Sequence, residues 1–222
     1  MRATRAPLKH ERLQKSNFKI LVVVRQMPTR HIVDECVKNN TILNLSPHGS
    51  PWSTQATRTC VAFCRERINA APAGARKACI LAPTVPLVRH YFNEARRTQG
   101  LHTQYIIGTA AVDAWERQQW REVVEQHELL LITPQLFLDA LNAKWTWMSE
   151  FCALTFIECQ HCIGTHPFGK IVEHLNFDSV RVLGIFSYHK RKNNNPGKRK
   201  AAMMSLENAL HANWTALEPE HV

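Results

Sequence analysis

Short apolar runs alternate along this chain with amphipathic stretches. Thr41–Leu45, Ala78–Ala82, Thr103–Ile107, Leu129–Ile132, Cys152–Ile157 and Arg181–Phe186 are four to six residues long, with Ile, Val, Leu and Phe recurring and breakers or polar residues at their ends. Such runs predict buried strands. The stretches between them read as helices. One covers His31–Lys38. A second is capped by Ser53 and runs to about Asn69, with Ala56, Cys60, Phe63 and Cys64 on one face. In a third, Val85, Val88, Tyr91, Phe92 and Ala95 share a stripe, and Gly100 is its expected stop. Val112–Gln126 reads as one helix, and another opens at Pro134, where a missing N–H costs nothing. Phe168–Leu175 and Ser205–Ala212 complete the set, and Lys190–Lys200 reads as a basic, Asn-rich loop. Six strands alternating with helices predict an α/β fold, a parallel sheet covered on both faces. Ligands of such sheets bind beyond the carboxyl ends of the strands. That directs attention to residues 46–52, 82–86, 133–135, 158–162 and 187–190.

Composition narrows the class. The 222 residues are 45% hydrophobic and 21% charged, an ordinary globular balance that excludes wholesale disorder. No apolar run approaches the ~20 residues of a membrane helix, so no membrane partner is expected. Seven cysteines without a secretory leader favour a reduced, intracellular chain, cytoplasmic by expectation. The net charge of +10 is unevenly placed. Residues 1–30 hold eight basic side chains and one acid, residues 31–186 are balanced, and residues 187–200 hold six basic side chains and no acid. A neutral body with two basic segments suits an acidic partner, or solubility alone. Lys190, Arg191 and Lys192, with Lys198, Arg199 and Lys200, read equally as an RNA-backbone contact, a nuclear-localisation signal or a solvated loop.

The loops carry the specific signals. Ala82-Pro83-Thr84-Val85-Pro86-Leu87-Val88, Thr133-Pro134-Gln135-Leu136-Phe137-Leu138-Asp139-Ala140-Leu141 and Glu158-Cys159-Gln160-His161-Cys162, followed by His166-Pro167-Phe168, stand in this order. Together they resemble the first RecA-like helicase domain of Dicer and related RNA-sensing helicases, over about Met27–Trp214. That family has N-T-V-P-L-V, T-x-Q-x-L-L-D-A-L and D-E-C-H-H-x-x-x-x-H-P-Y motifs at similar spacing. The expected organisation is a basic arm at 1–26, a lobe at 27–214 that includes a basic loop at 189–200, and a tail at 215–222. The resemblance implies ATP and Mg²⁺ as cofactors and double-stranded RNA, read without sequence preference, as partner. Thr84, Pro86, Thr133 and Gln135 match motifs that touch the RNA backbone, with the alternative that the two threonines cap the helices behind them.

The same resemblance exposes departures. Asn40-Thr41-Ile42-Leu43-Asn44-Leu45 matches the run before the family's phosphate loop, but G-x-G-x-G-K-T is replaced by Ser46-Pro47-His48-Gly49-Ser50-Pro51-Trp52. Glycines let backbone N–H groups wrap the phosphates, the Lys reaches the β/γ-phosphates and the Thr hydroxyl binds Mg²⁺. Pro51 replaces the Lys, Trp52 the Thr, and Pro47 removes a further donor. D-E-C-H becomes Ile157-Glu158-Cys159-Gln160, keeping the Glu that orients water and losing the Asp that organises Mg²⁺. Gly184-Ile185-Phe186-Ser187-Tyr188 stands for G-L-T-A-S, and Ile32 stands where an adenine-reading Gln is usual. The expectation is a catalytically inactive lobe with no cofactor of its own, Glu158 being a remnant. It would bind RNA weakly or serve as a scaffold among proteins of small-RNA processing. Two alternatives stand beside it: a fragment of an ATP-dependent helicase or Dicer endoribonuclease that still binds ATP, and a protein-interaction module only. Cys159-Gln160-His161-Cys162 invites zinc, but a lone C-x-x-C lacks the four ligands of a structural site, so no metal is assigned. Cys60 and Cys64 read as core. Trp115 reads as inward-facing, and Trp145 and Trp147 as loop-side candidates for base stacking.

Overall fold

The computed structural model describes residues 29–45, 50–72, 74, 76–187 and 196–217. The expected basic arm at 1–26, Ser46, Pro47, His48, Gly49, Tyr188, Lys190, Arg191, Lys192 and residues 218–222 lie outside them.

Seven strands form one parallel sheet: β1 (Thr41–Leu45), β2 (Lys77–Leu81), β3 (Thr103–Ile106), β4 (Leu129–Ile132), β5 (Phe151–Ile157), β6 (Arg181–Phe186) and β7 (Asn213–Leu217), in the order β3-β4-β2-β5-β6-β1-β7. Among the described residues eight α-helices accompany them: α1 (Thr29–Lys38), α2 (Thr54–Ala70), α3 (Val85–Ala95), α4 (Ala110–Asp113), α5 (Arg117–Gln126), α6 (Pro134–Asn142), α7 (Pro167–Val172) and α8 (Pro196–Leu210). The period-two alternation of strands splits their side chains between two cores. Leu43, Ile80, Leu131, Leu183 and Ile185 face α1, α2 and α3, with Ile32, Cys60, Phe63 and Tyr91. Ile42, Leu81, Leu130, Phe156 and Val182 face α5, α6, α7 and α8, with Trp120, Phe137, Phe168 and Leu206. Each fully buried Leu, Ile or Phe contributes about 1.5–3 kcal/mol, so near-continuous apolar strands are what a sheet covered on both faces requires.

Six of the seven strands fall where the hydrophobic pattern puts them, within a residue at either end. Four features differ. The stretch Val112–Gln126 is two helices, because Trp115 N–H closes the first turn on Val112 O at 3.0 Å and Glu116 N–H turns to Gln119 Oε1 at 3.0 Å. Trp115 therefore sits between helices, half-buried, edge-on to Trp120 at 6.5 Å. Gly100 (φ 71°) stops no helix: α3 ends at Ala95 and the glycine closes the following turn. The segment expected to be loop through Lys200 is helical from Pro196. Beyond the boundary expected at 214, β7 runs on through Leu217 beside β1. Asn40 stitches that edge: its Oδ1 accepts from Val182 N–H at 3.0 Å, its Nδ2 donates to His211 O at 3.4 Å, and its carbonyl accepts from Asn213 N–H at 3.1 Å.

Candidate functional site

Because β6 lies between β5 and β1, the loops after these three strands meet at one stretch of the carboxyl edge. Register aligns Asn44 with Phe186 and Ile157 with Ile185. The pattern Asn40–Leu45, the acidic motif and Gly184–Ser187, far apart in sequence, thus become neighbours.

The end of the degenerate phosphate loop is held by the protein's own groups. Ser53 N–H donates to Ser50 O at 2.9 Å and Trp52 N–H to Ser50 Oγ at 3.2 Å. Ser53 caps α2 as expected, its Oγ accepting from Ala56 N–H at 3.1 Å. Pro51 is buried, and its carbonyl accepts a 2.9 Å hydrogen bond from the Tyr91 hydroxyl of α3. Trp52 is 46% exposed and packs edge-on against His90 at 5.3 Å. The Thr57 hydroxyl donates to Ser53 O at 2.9 Å, so its 3.0 Å contact with His90 uses the imidazole Nε2–H as donor. Pattern reasoning missed these Tyr91 and His90 contacts. The signal was available: Tyr91 lies on the inward stripe of α3, and a buried tyrosine hydroxyl needs a partner.

The acidic motif follows β5. Glu158 adopts a left-handed backbone (φ 59°, ψ 53°), and its Oε2 lies 3.9 Å from His161 Nε2. His161 stacks on His166 at 4.7 Å, and His166 Nδ1 accepts from Phe168 N–H at 3.2 Å. Burial first, then the neighbouring His161, lower the His166 pKa from its ordinary value, which suits an imidazole used as acceptor. Ile157 and Cys159 are fully buried, and burial pushes the Cys159 thiol far up. Gly184 permits this packing, since a Cβ there would stand 2.9 Å from Cys159 Sγ. Asn44 Oδ1, Gln160 Oε1 and Ser187 Oγ are buried and have no hydrogen-bond partner among the described residues. Ile32, at the adenine-reading position, is buried in the core. Among the described residues no group of three or more His, Cys, Asp or Glu is arranged to hold a metal, and Cys60, Cys64, Cys159 and Cys162 are all buried.

The remaining candidates lie after β2 and β4, the adjacent pair on the other side of β5. Thr84 is exposed and Thr133 half-buried. Both occupy the cap position, of α3 and α6 respectively, yet neither hydroxyl makes the capping hydrogen bond. This corrects the alternative that they act as caps, and it contrasts with Ser53 and Thr109, whose side chains do cap. Pro86 is the second residue of α3 and Pro134 the first of α6; the third-position N–H that Ser53 and Thr109 capture in their helices belongs here to Leu87 and Leu136, and neither threonine side chain takes it. Pro86 is exposed, and Gln135 is exposed with its amide donating to Asp139 at 2.7 Å. Lys198, Arg199 and Lys200 fall within the first five residues of α8, whose first turn carries no acid. Trp145 packs against the core as a half-buried side chain, while Trp147 is 48% exposed.

The strand order, the parallel ladders and loops converging on one carboxyl edge define a RecA-like α/β lobe. The crystal structure of the Pyrococcus furiosus Hef helicase domain matches it with a TM-score of 0.65 at 18% identity, covering 85% of this chain and 38% of that one. In sequence the chain is similar to endoribonuclease Dicer homolog 3 of Arabidopsis thaliana, 34% identical over 111 residues, 50% of this chain and 7% of that protein. It is 32% identical over 151 residues to Dicer homolog 3b of Oryza sativa subsp. japonica, 67% of this chain and 9% of that protein. Against Dicer homolog 2 of Arabidopsis thaliana it is 27% identical over 202 residues, 86% of this chain and 14% of that protein. No protein-family model matches the chain. The chain is thus a Dicer-like helicase lobe of RecA type, and it spans a small fraction of the length of the relatives it matches.

Proposed function

We propose that this lobe is a pseudo-ATPase: it does not turn over ATP, and it contributes RNA-backbone binding or a scaffold to small-RNA processing in the cytoplasm. The observation that carries the first half is the tie between Pro51 and α3. A phosphate loop works by aiming free N–H groups and a Lys at the phosphates. Here position 51 has neither, and its carbonyl is fixed by the Tyr91 hydroxyl at 2.9 Å. Ser53 Oγ takes one α2 N–H, and position 52 carries an indole packed against His90 in place of the hydroxyl that the family resemblance implies there. Glu158 retains a carboxylate, but with Ile157 buried in the core no adjacent acid organises a metal.

Support for the RNA half comes from the two uncommitted hydroxyls. Thr84 and Thr133 stand at neighbouring strand ends, spend nothing on their own helices and remain available to phosphate oxygens. The deciding experiment for catalysis is calorimetry of the full chain with ATP and Mg²⁺. No saturable heat is expected. Saturable binding at micromolar ATP would replace this reading with that of a helicase fragment that keeps its nucleotide.

A further inference from the structure

The outward face of the α1, α2 and α3 layer carries a groove that the helicase motifs do not use. Arg58, Ala62, Arg65 and Glu66 recur at helical spacing, so they share one stripe of α2, exposed but for the half-buried alanine. Two cavities meet on this stripe. One, of about 330 Å³, is lined by Arg30, Val33 and Asp34 of α1 together with Ala62 and Glu66. The other, of about 190 Å³, is lined by Arg58, Val61 and Arg65 and reaches Glu94 of α3. Ala62 and Glu66 line both, so the two form one groove from α1 across α2 to α3.

Its floor is apolar and its rim is charged. Val33 and Val61 are buried, whereas Arg30, Asp34, Arg65 and Glu66 are exposed. Arg58 and Glu94 pair with each other at 3.1 Å, but Asp34 and Glu66 take part in no ion pair among the described residues. Val33 stands apart from the rest of the buried set. Among the described buried apolar side chains it alone belongs to neither core, so its shielding from water comes from outside both.

The chain itself supplies a matching occupant. Residues 1–28 lie outside the described residues and join α1 at Thr29, one position before the cavity-lining Arg30. They include Ile20, Leu21, Val22, Val23 and Val24, consecutive apolar residues between Lys19 and Arg25. Water penalises such a run, and no helicase motif claims it. Val24 stands six positions before Arg30, a span of at most about 20 Å, so the groove is within reach. Lys19 and Arg25 complement the unpaired carboxylates of Asp34 and Glu66. The tether makes docking intramolecular, at an effective concentration on the order of millimolar that a separate partner would have to exceed.

We propose that residues 19–25 occupy this groove, with the apolar run on Val33, Val61 and Ala62 and the flanking cations on Asp34 and Glu66, so that the arm straps α1 to α2. The proposal is independent of whether the lobe binds ATP or RNA.

Cysteine trapping in the full chain tests it. The seven native cysteines are all buried, so an added exposed pair is the reactive one. Leu21→Cys, Val22→Cys and Val23→Cys are each combined with Glu66→Cys and oxidised at micromolar protein. Glu122→Cys is the control partner, exposed on α5, which covers the other face of the sheet. At least one pair should close within a single chain about tenfold faster than its control on a non-reducing gel. Cross-links between chains would assign the groove to the arm of a second copy, and no cross-linking above control would leave it to a separate protein or to none; either result overturns the proposal. Arg65→Cys replaces Glu66→Cys if the latter fails to fold. As a second readout, Leu21→Asp/Val23→Asp should speed amide hydrogen exchange across α1 about tenfold, and unchanged exchange there would equally overturn the strap.

Discussion

Replacing Tyr91 by Phe isolates the tie between the degenerate phosphate loop and α3. The ring stays, so the fully buried site keeps its packing and no cavity opens. What goes is the hydroxyl that donates to Pro51 O at 2.9 Å. A typical hydrogen bond contributes about 1 kcal/mol net, and a buried carbonyl left without a partner costs about 1–3 kcal/mol. The loop can relax toward solvent, so the expected loss lies between these, about 1–2 kcal/mol. Urea unfolding followed by tryptophan emission measures it, with an unchanged slope marking a true change in stability. Tyr105→Phe is the control. Its ring also packs edge-on against an aromatic, Phe92 at 4.8 Å, but its hydroxyl makes no hydrogen bond among the described residues. It should change stability by less than about 0.5 kcal/mol. Equal effects at the two positions would refute the claim that the Tyr91 hydroxyl anchors residue 51.

Gly184→Ala should cost about 1–3 kcal/mol by overpacking, since the new Cβ meets Cys159 Sγ at 2.9 Å and Ile42 Cγ1 at 3.4 Å inside the core; Cys159→Ala on the same chain should recover part of it in the same melts. At Glu150, burial raises the carboxyl pKa, but hydrogen bonds from Arg121 and Thr146 outweigh it and leave a net lowering. A depressed carboxyl contributes stability above its ordinary value, about 4.5, and loses it as pH falls through the folded value, so the gap between wild type and Glu150→Gln, about 1–2 kcal/mol near neutral pH, should close in acid. A gap constant with pH would show that the carboxylate charge plays no part. For RNA, log affinity should fall with log salt by roughly 0.7–0.9 per phosphate contact. Thr84→Ala and Thr133→Ala should weaken binding at unchanged slope, because they remove hydrogen bonds and not charge. Binding indifferent to both substitutions would remove the carboxyl edge from the RNA reading.

What was legible in the sequence follows from which forces act locally. Strands buried on both faces, such as Leu129–Ile132 and Arg181–Phe186, announce themselves as apolar runs between breakers. Ser53 was legible because a cap acts over three residues. By contrast, β7 opens on Asn213 and owes its place to Asn40, 173 positions earlier in the chain by number, through the Asn213 N–H bond to the Asn40 carbonyl. The first turns of α8 carry cations and small residues, and an inward apolar stripe begins only at Met203, followed by Leu206 and Leu210. At the site, motif positions were readable one by one, but the Tyr91–Pro51 and Trp52–His90 contacts join α3 to a loop across a crossover. No window of sequence contains both partners.

The carboxyl edge thus divides into two halves of opposite character. After β1, β6 and β5 the polar groups are either spent within the protein, as at Pro51, Ser53 and Thr57, or buried acceptors such as Asn44 Oδ1 and Gln160 Oε1. Acceptors and a carboxylate at Glu158 repel a polyphosphate that arrives without a Lys or an organised metal. After β2 and β4 the Thr84 and Thr133 hydroxyls make no capping hydrogen bond to the helices behind them. At position 51 proline removes a donor that a phosphate loop needs. The prolines at positions 86 and 134 leave the Leu87 and Leu136 N–H groups in place, and still the two threonine hydroxyls cap neither helix. A lobe that lost its nucleotide while retaining its grip on a strand would keep the second pair and not the first, which is the distribution this chain displays.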